Sequence, residues 1–291
     1  MYVLRQLMIT PFGLLLALVY SLALVTLVCQ QDWRGLAFVG GTFLLTLLLI
    51  PLLLRLANRE DVHSPSISRP WSGLSLWVLL LIVQLYLESI TPRWIIGGYE
   101  INSVLVKLLL LFVLPLLFLR LQGVSMDSLG FKLDYWRADL KLILTLGFIV
   151  LISVLGLIFL LESSSATANR FHLNAPKTVL AFIYFVFRSG LPEEFFFRVY
   201  LQEHLNAVLK SRWDGLALAA LVFGLLHILH WKLKGASFLT AFAYAALGQM
   251  SVGLLFCLLW ERVRSLMPLA LIHGWLNAVA ISSGLARAPL G

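Results

Sequence analysis

Leu191-Pro192-Glu193-Glu194-Phe195-Phe196-Phe197-Arg198 sets two adjacent carboxylates inside an otherwise apolar stretch. If the stretch lies in a bilayer, each ionised carboxylate near the centre costs about 2.5–3.5 kcal/mol on insertion scales, and the two also repel. Packing gives no reason to keep such a pair. Ionisable groups at membrane depth mark function before anything else.

The rest of the chain establishes the membrane. Of 291 residues, 60% are hydrophobic and 12% charged, whereas soluble domains run about 45–50% apolar and about 25% charged. A spanning helix needs about 20 mostly apolar residues. Nine apolar segments fit that length: Pro11–Cys29, Gly35–Leu54, Gly73–Ile90, Ile101–Leu119, Leu140–Leu161, Thr178–Leu209, Gly215–His230, Phe238–Trp260 and Leu266–Leu285. They predict an all-α polytopic transmembrane helical bundle of about 8–9 membrane segments. A β-barrel would show short alternating runs instead. The N-terminus, with Arg5 near its start, reads as the first span: its apolar run is long and no small-residue cleavage site follows. No internal repeat is evident.

The net charge of +8 is flanking Lys and Arg without a clustered basic face, which excludes nucleic acid as a partner and leaves the lipid bilayer. With nine alternating spans, one side carries Arg5, Arg55, Arg59, Arg69, Arg120, Lys132, Arg137, Lys141, Lys210, Arg212, Arg262 and Arg264. The other carries Arg34, Arg93, Arg170, Lys177, Lys232, Lys234 and Arg287. The excess favours a cytoplasmic N-terminus. Cys29 and Cys257 lie in apolar segments with no metal-type spacing and read as buried small hydrophobes. Between Arg120 and Asp139, the residues Asp127, Gly130, Lys132, Asp134, Tyr135, Trp136 and Arg137 suit a headgroup layer. Ser163, Ser164, Ser165 and Asn169 read as a flexible loop.

Polar residues interrupt the last four segments. Glu194 and Arg198 are four apart, share a helix face and are placed to pair. Glu193 is turned about 100° away and is open to another partner. Gly190 and Pro192 are candidate breaks in an unusually long sixth segment. His227 follows Gly224, which permits close helix approach, and His230 lies one turn on at an interface. His273 and Asn277 are four apart on one face of the last segment, which points to a shared cavity. Counting the helical rise from the Lys210–Arg212 turn and from Glu261–Ser265, Glu193 lies roughly 24 Å in, His227 and Asn277 roughly 18 Å, and His273 roughly 12 Å.

Glu193-Glu194-x-x-x-Arg198, Phe223-x-x-x-His227 and His273-x-x-x-Asn277, each in its own apolar segment and in that order, resemble the CPBP family of intramembrane proteases. That family includes the type II CAAX prenyl endopeptidases of the Ras-converting type. The likeness covers roughly Phe171 to Ala288 and divides the chain into N-terminal membrane helices and an interfacial stretch over 1–135 and a catalytic membrane core over 136–291. It implies an intramembrane active-site cavity, a membrane-anchored peptide or protein substrate, and no cofactor. Glu193 and His227 would activate water, His273 and Asn277 would stabilise the oxyanion, and Glu194 and Arg198 would support the site. A carboxylate short of water is a competent general base, and donors aimed at developing charge in a dry cavity are each worth about 2.7–4 kcal/mol.

Three other readings stand beside it. Glu193, His227 and His273 are ligand types for zinc at about 2.0–2.2 Å, although no HExxH occurs. A non-catalytic scaffold or immunity-type membrane protein would keep the fold without the reaction, and the intact set of six motif residues argues against it. A proton relay or transporter is disfavoured by the lack of repeats or paired broken helices.

Overall fold

The computed structural model describes residues 6–7, 9–57, 64–132, 135–163 and 174–282. Arg5, Arg59, Asp134, Ser164, Ser165, Asn169, Arg170, Leu285 and Arg287 lie outside the described residues.

Nine long helical stretches among the described residues occupy the nine apolar segments. They are α1 (Pro11–Cys29), α2 (33–56), α3 (Pro70–Ile90), α4 (Ile101–Leu121), α5 (Trp136–Ser163), α6 (175–209), α7 (Arg212–Leu233), α8 (Phe238–Val263) and α9 (Leu266–Ser282). Five of these, α1, α3, α4, α7 and α8, are long and apolar enough to cross a membrane, and Leu36–Leu52 and Leu266–Ser282 are shorter apolar helices. Polar caps set the starts. Thr10 accepts from the Gly13 N–H ahead of α1, Asn174 from Lys177 ahead of α6, and Ser211 from Asp214 ahead of α7, each satisfying a backbone donor that the first turn leaves open. A two-stranded hairpin, β1 (Ile95–Ile96) and β2 (Tyr99–Glu100), leads into α4. Gly97 and Gly98 make its turn at positive φ, where glycine carries no Cβ penalty. The sequence reading did not find it because two-residue strands carry no period.

Exposure is inverted relative to a water-soluble domain. Leu48, Ile82 and Leu144 are more than half exposed, while Gln84, Asn102, Ser189, Arg198 and Gln202 are buried. Apolar atoms meet lipid, and polar ones are kept for the interior. Cys257 is buried, but Cys29 is exposed. As the last residue of α1 it faces outward rather than into packing, which corrects the expectation for that residue.

The chain forms two compact units. The first takes residues 1–74 and 197–264, the second 75–196 and 265–289. In the first, α7 and α8 approach so closely that a Cβ on Gly224 would stand 2.3 Å from the Met250 Cβ. Asp214 at the start of α7 accepts from the Phe12 backbone of α1 at 3.2 Å. Tyr244 of α8 donates to Asp32 at 2.5 Å. At the other end of α8, Glu203 accepts from Trp260 at 2.7 Å and pairs with Arg264.

In the second unit, α9 packs against α5 and the first part of α6. The Trp275 indole donates to the Gly147 carbonyl at 2.9 Å, and Ser265 donates to Asp139 at 2.9 Å. Thr178 donates to Ser282 at 2.9 Å. Phe112 of α4 meets Phe195 edge to face at 5.0 Å, and Trp77 of α3 stacks on Phe196 at 5.2 Å. These contacts fix the helix that carries the two carboxylates.

Candidate active site

The sixth segment does not break. α6 stays helical throughout, with π-helical stretches at Val186–Gly190 and Phe195–Gln202 on either side of a short α turn, Leu191–Glu194. A π turn ahead of Pro192 accommodates a residue that brings no N–H to the ladder, which is why Gly190 and Pro192 fail as breakers. Such widened turns occur mostly at functional positions. Here they bracket Glu193 and Glu194.

Two glycines bring α6 against α9. A Cβ on Gly190 would stand 2.2 Å from the Ala270 carbonyl oxygen, and one on Gly274 would stand 2.9 Å from the Val186 nitrogen. Only bare backbone fits at that separation. The carboxylates therefore reach across one helix interface without long side chains. Counting a straight rise put Glu193 and His273 roughly 12 Å apart in depth, and they are in fact neighbours.

His273 lies between the two acids. Its Nδ1 is 2.6 Å from Glu194 Oε1, and its Nε2 is 3.9 Å from Glu193 Oε2. Glu194 is fully buried and His273 nearly so. The other Glu193 oxygen, Oε1, accepts from Lys107 Nζ of α4 at 2.7 Å. Lys107, Glu193, His273 and Glu194 thus form a row of alternating charge type. Beside it, Asn277 Nδ2 donates to Ser189 Oγ at 2.8 Å, and Ser189 donates on to the Phe185 carbonyl at 3.1 Å.

That geometry limits the proton states. With one proton on the Glu194–His273 pair, Nδ1–H donates to Glu194 and Nε2 presents a lone pair. With two protons, Nε2 is a donor whichever partner holds the shared proton. Nε2 and Glu193 Oε2 are too far apart for a direct hydrogen bond. One oxygen atom at about 2.8 Å from each reaches both. The Asn277 amide is held by one N–H through Ser189, which leaves its second N–H as a donor.

His227 and Arg198 belong to the first unit. His227 Nδ1 lies 2.8 Å from the Phe223 carbonyl oxygen. A carbonyl only accepts, so Nδ1 carries the proton and Nε2 of the neutral ring is the acceptor. Arg198 is fully buried, with its guanidinium 4.4 Å from the Phe223 ring centroid and 5.6 Å from that of Phe256. His230 is exposed near the end of α7, edge-on to Trp231 at 5.5 Å.

Sequence reasoning singled out Glu193, Glu194, His273 and Asn277, which the second unit assembles, and missed Lys107 and Ser189. Lys107 stands inside an apolar segment and was open to the argument that picked out the glutamates. Ser189 carried no signal, because a single Ser in a membrane helix commonly bonds its own backbone.

Residues 175–279 match the protein family described as type II CAAX prenyl endopeptidase Rce1-like, a span that contains all six motif residues. No curated protein and no solved structure matches the chain. The chain is an integral, multi-pass membrane protein, and its residues 175–279 are similar to the Rce1-like type II CAAX prenyl endopeptidases, a family of membrane peptide hydrolases.

Proposed function

We propose that the protein is a glutamate-type intramembrane endopeptidase that hydrolyses a peptide bond of a membrane-associated or lipidated substrate, with water as nucleophile and no metal. The observation that carries the reading is His273, held by Glu194 on one ring nitrogen and turned toward Glu193 on the other. This is the arrangement in which a carboxylate orients an imidazole and steadies its charge.

Glu193, with His227 Nε2 as second acceptor, takes a proton from water as the oxygen attacks the scissile carbonyl. The carbonyl oxygen becomes an oxyanion, which accepts from His273 Nε2–H and from the free N–H of Asn277. For this the Glu194–His273 pair holds two protons. The proton on Glu193 passes to the leaving nitrogen, the C–N bond breaks, and the products are a carboxylic acid and an amine, between which the acid proton then passes to give carboxylate and ammonium. Fixed donors in a site short of water cost no reorganisation during the reaction, and each is worth about 2.7–4 kcal/mol.

The test is cleavage of tagged membrane-peptide substrates by purified protein in liposomes, for the wild type, Glu193→Ala and His227→Ala, with and without chelator. Cleavage that withstands chelator and is lost in both variants is expected. Loss on chelation with recovery by zinc would move Glu193, His227 and His273 into ligand roles. Cleavage retained in Glu193→Ala would sink the assignment of the base.

A further inference from the structure

We infer that Lys107 is a positioning residue of the reaction, acting through Glu193. The inference rests on the proteolytic reading above. Lys107 sits in α4, an apolar helix in which it is the one charged side chain from Ile101 to Leu119. An ammonium placed there carries the same kind of insertion cost as the carboxylates. The side chain is spent on one contact: Nζ donates to Glu193 Oε1 at 2.7 Å, and both side chains are largely buried.

The choice of oxygen matters. Lys107 occupies Oε1, so the carboxylate cannot rotate freely, and Oε2 is the oxygen turned to His273 Nε2. A water that donates to Oε2 is then held on the side of the oxyanion donors. Without Lys107 the hold on Oε1 is gone, and the water position is less closely fixed. Lys107 also accounts for charge. When Glu193 takes a proton from water, the negative charge passes to the oxyanion, and the ammonium remains beside the reacting groups to offset it. A neutral residue of similar length at position 107 supplies packing but neither of these effects.

Two measurements on the full-length protein in liposomes test this. The first is a zero-length cross-link. A membrane-permeant carbodiimide joins the Lys107 nitrogen to the Glu193 carboxyl carbon as an isopeptide, the carboxyl oxygen leaving in the urea. Mass spectrometry should find this link in the wild type and lose it in Lys107→Arg and Glu193→Gln. The second is kinetic. Lys107→Met should lower kcat by about 10²-fold, the cost of a misplaced reacting group, with KM within about twofold, and Lys107→Arg should recover most of that loss.

A Lys107→Met enzyme with wild-type kcat overturns the inference, as does a Lys107→Arg enzyme no better than Lys107→Met. A change confined to KM overturns it too, since it makes Lys107 a substrate contact. Absence of the cross-link in a chain that cleaves normally removes the pairing and leaves the protease reading standing. A cross-linked wild type that cleaves none of the tagged membrane-peptide substrates removes the protease reading, and the role of Lys107 falls with it.

Discussion

Glu194 Oε1 lies 2.6 Å from Nδ1 of His273, and both side chains are buried. The contact crosses from α6 to α9 and is shorter than an ordinary neutral N–H···O bond, as expected where one partner is charged. It fixes which face of the imidazole is left for chemistry. Glu194→Gln keeps the size but replaces the carboxylate with an amide that cannot share a proton with the ring. Its kcat should fall by about 10²–10⁴-fold, the scale of losing an orienting carboxylate, with the chain still folded by its melting curve. A loss under threefold would remove Glu194 from the reaction.

Ser189 holds Asn277 as Glu194 holds His273. Removing the hydroxyl in Ser189→Ala leaves the amide without its acceptor and the Phe185 carbonyl without the serine donor. Stability should drop by about 1 kcal/mol, the net worth of one hydrogen bond. The kcat should drop too, but by less than in Asn277→Ala. The double variant should be no worse than Asn277→Ala alone, because residues in one hydrogen-bonded unit are not additive. Additive losses would show that Ser189 acts independently of Asn277.

The nine apolar segments were legible because an apolar run of helical length is a signal that needs no knowledge of neighbours, and α1 begins and ends where its segment does. The acid–histidine–amide set was legible for the same reason in reverse: Glu193, His273 and Asn277 are conspicuous against an aliphatic background. Lys107 should have been. It was read as part of a span, although a buried pair of carboxylates requires a cation somewhere. The π turns around Glu193 and Glu194 were not legible, since a change of helical register follows from tertiary packing and has no composition. The contact of Glu194 with His273 was out of reach for another reason. Spacing pointed to Arg198 on its own helix, and nothing in the spacing indicated that His273 would come from another helix to within 2.6 Å.

The approach of α6 to α9 yields a prediction that touches no polar group. Gly190→Ala sets a methyl 2.2 Å from the Ala270 carbonyl oxygen, where neither backbone can yield cheaply. Overpacking of this kind costs about 1–3 kcal/mol. The helices must part, and Glu194 is then drawn off His273. Activity should fall by at least about 10²-fold, the cost of an ångström of misplacement, with a lower melting temperature. Gly41→Ala, whose Cβ meets nothing within 4 Å, should leave both unchanged. Full activity in Gly190→Ala would show that the α6–α9 distance does not set the site geometry.

The polar cluster at the end of α8 predicts stability rather than rate. Glu203 is almost fully buried and accepts from Trp260 Nε1 at 2.7 Å while pairing with Arg264, whose other nitrogen reaches Glu261 at 2.8 Å. Arg264 adopts a left-handed backbone at φ +48°, an unusual conformation for a residue with a side chain, and the ion pair helps to hold it there. Arg264→Met leaves Glu203 with its charge and without its cation, and breaking a buried pair from one side costs about 3–5 kcal/mol. Removing the Glu203 charge as well should cost less, since Glu203 is then no longer a buried carboxylate without its cation and only Glu261 loses a partner. Thermal unfolding in detergent should therefore rank wild type above the Glu203→Gln/Arg264→Met double variant, and the double variant above Arg264→Met alone. A double variant less stable than the single one would mean that Trp260 and Glu261, rather than the buried pair, hold this end of α8.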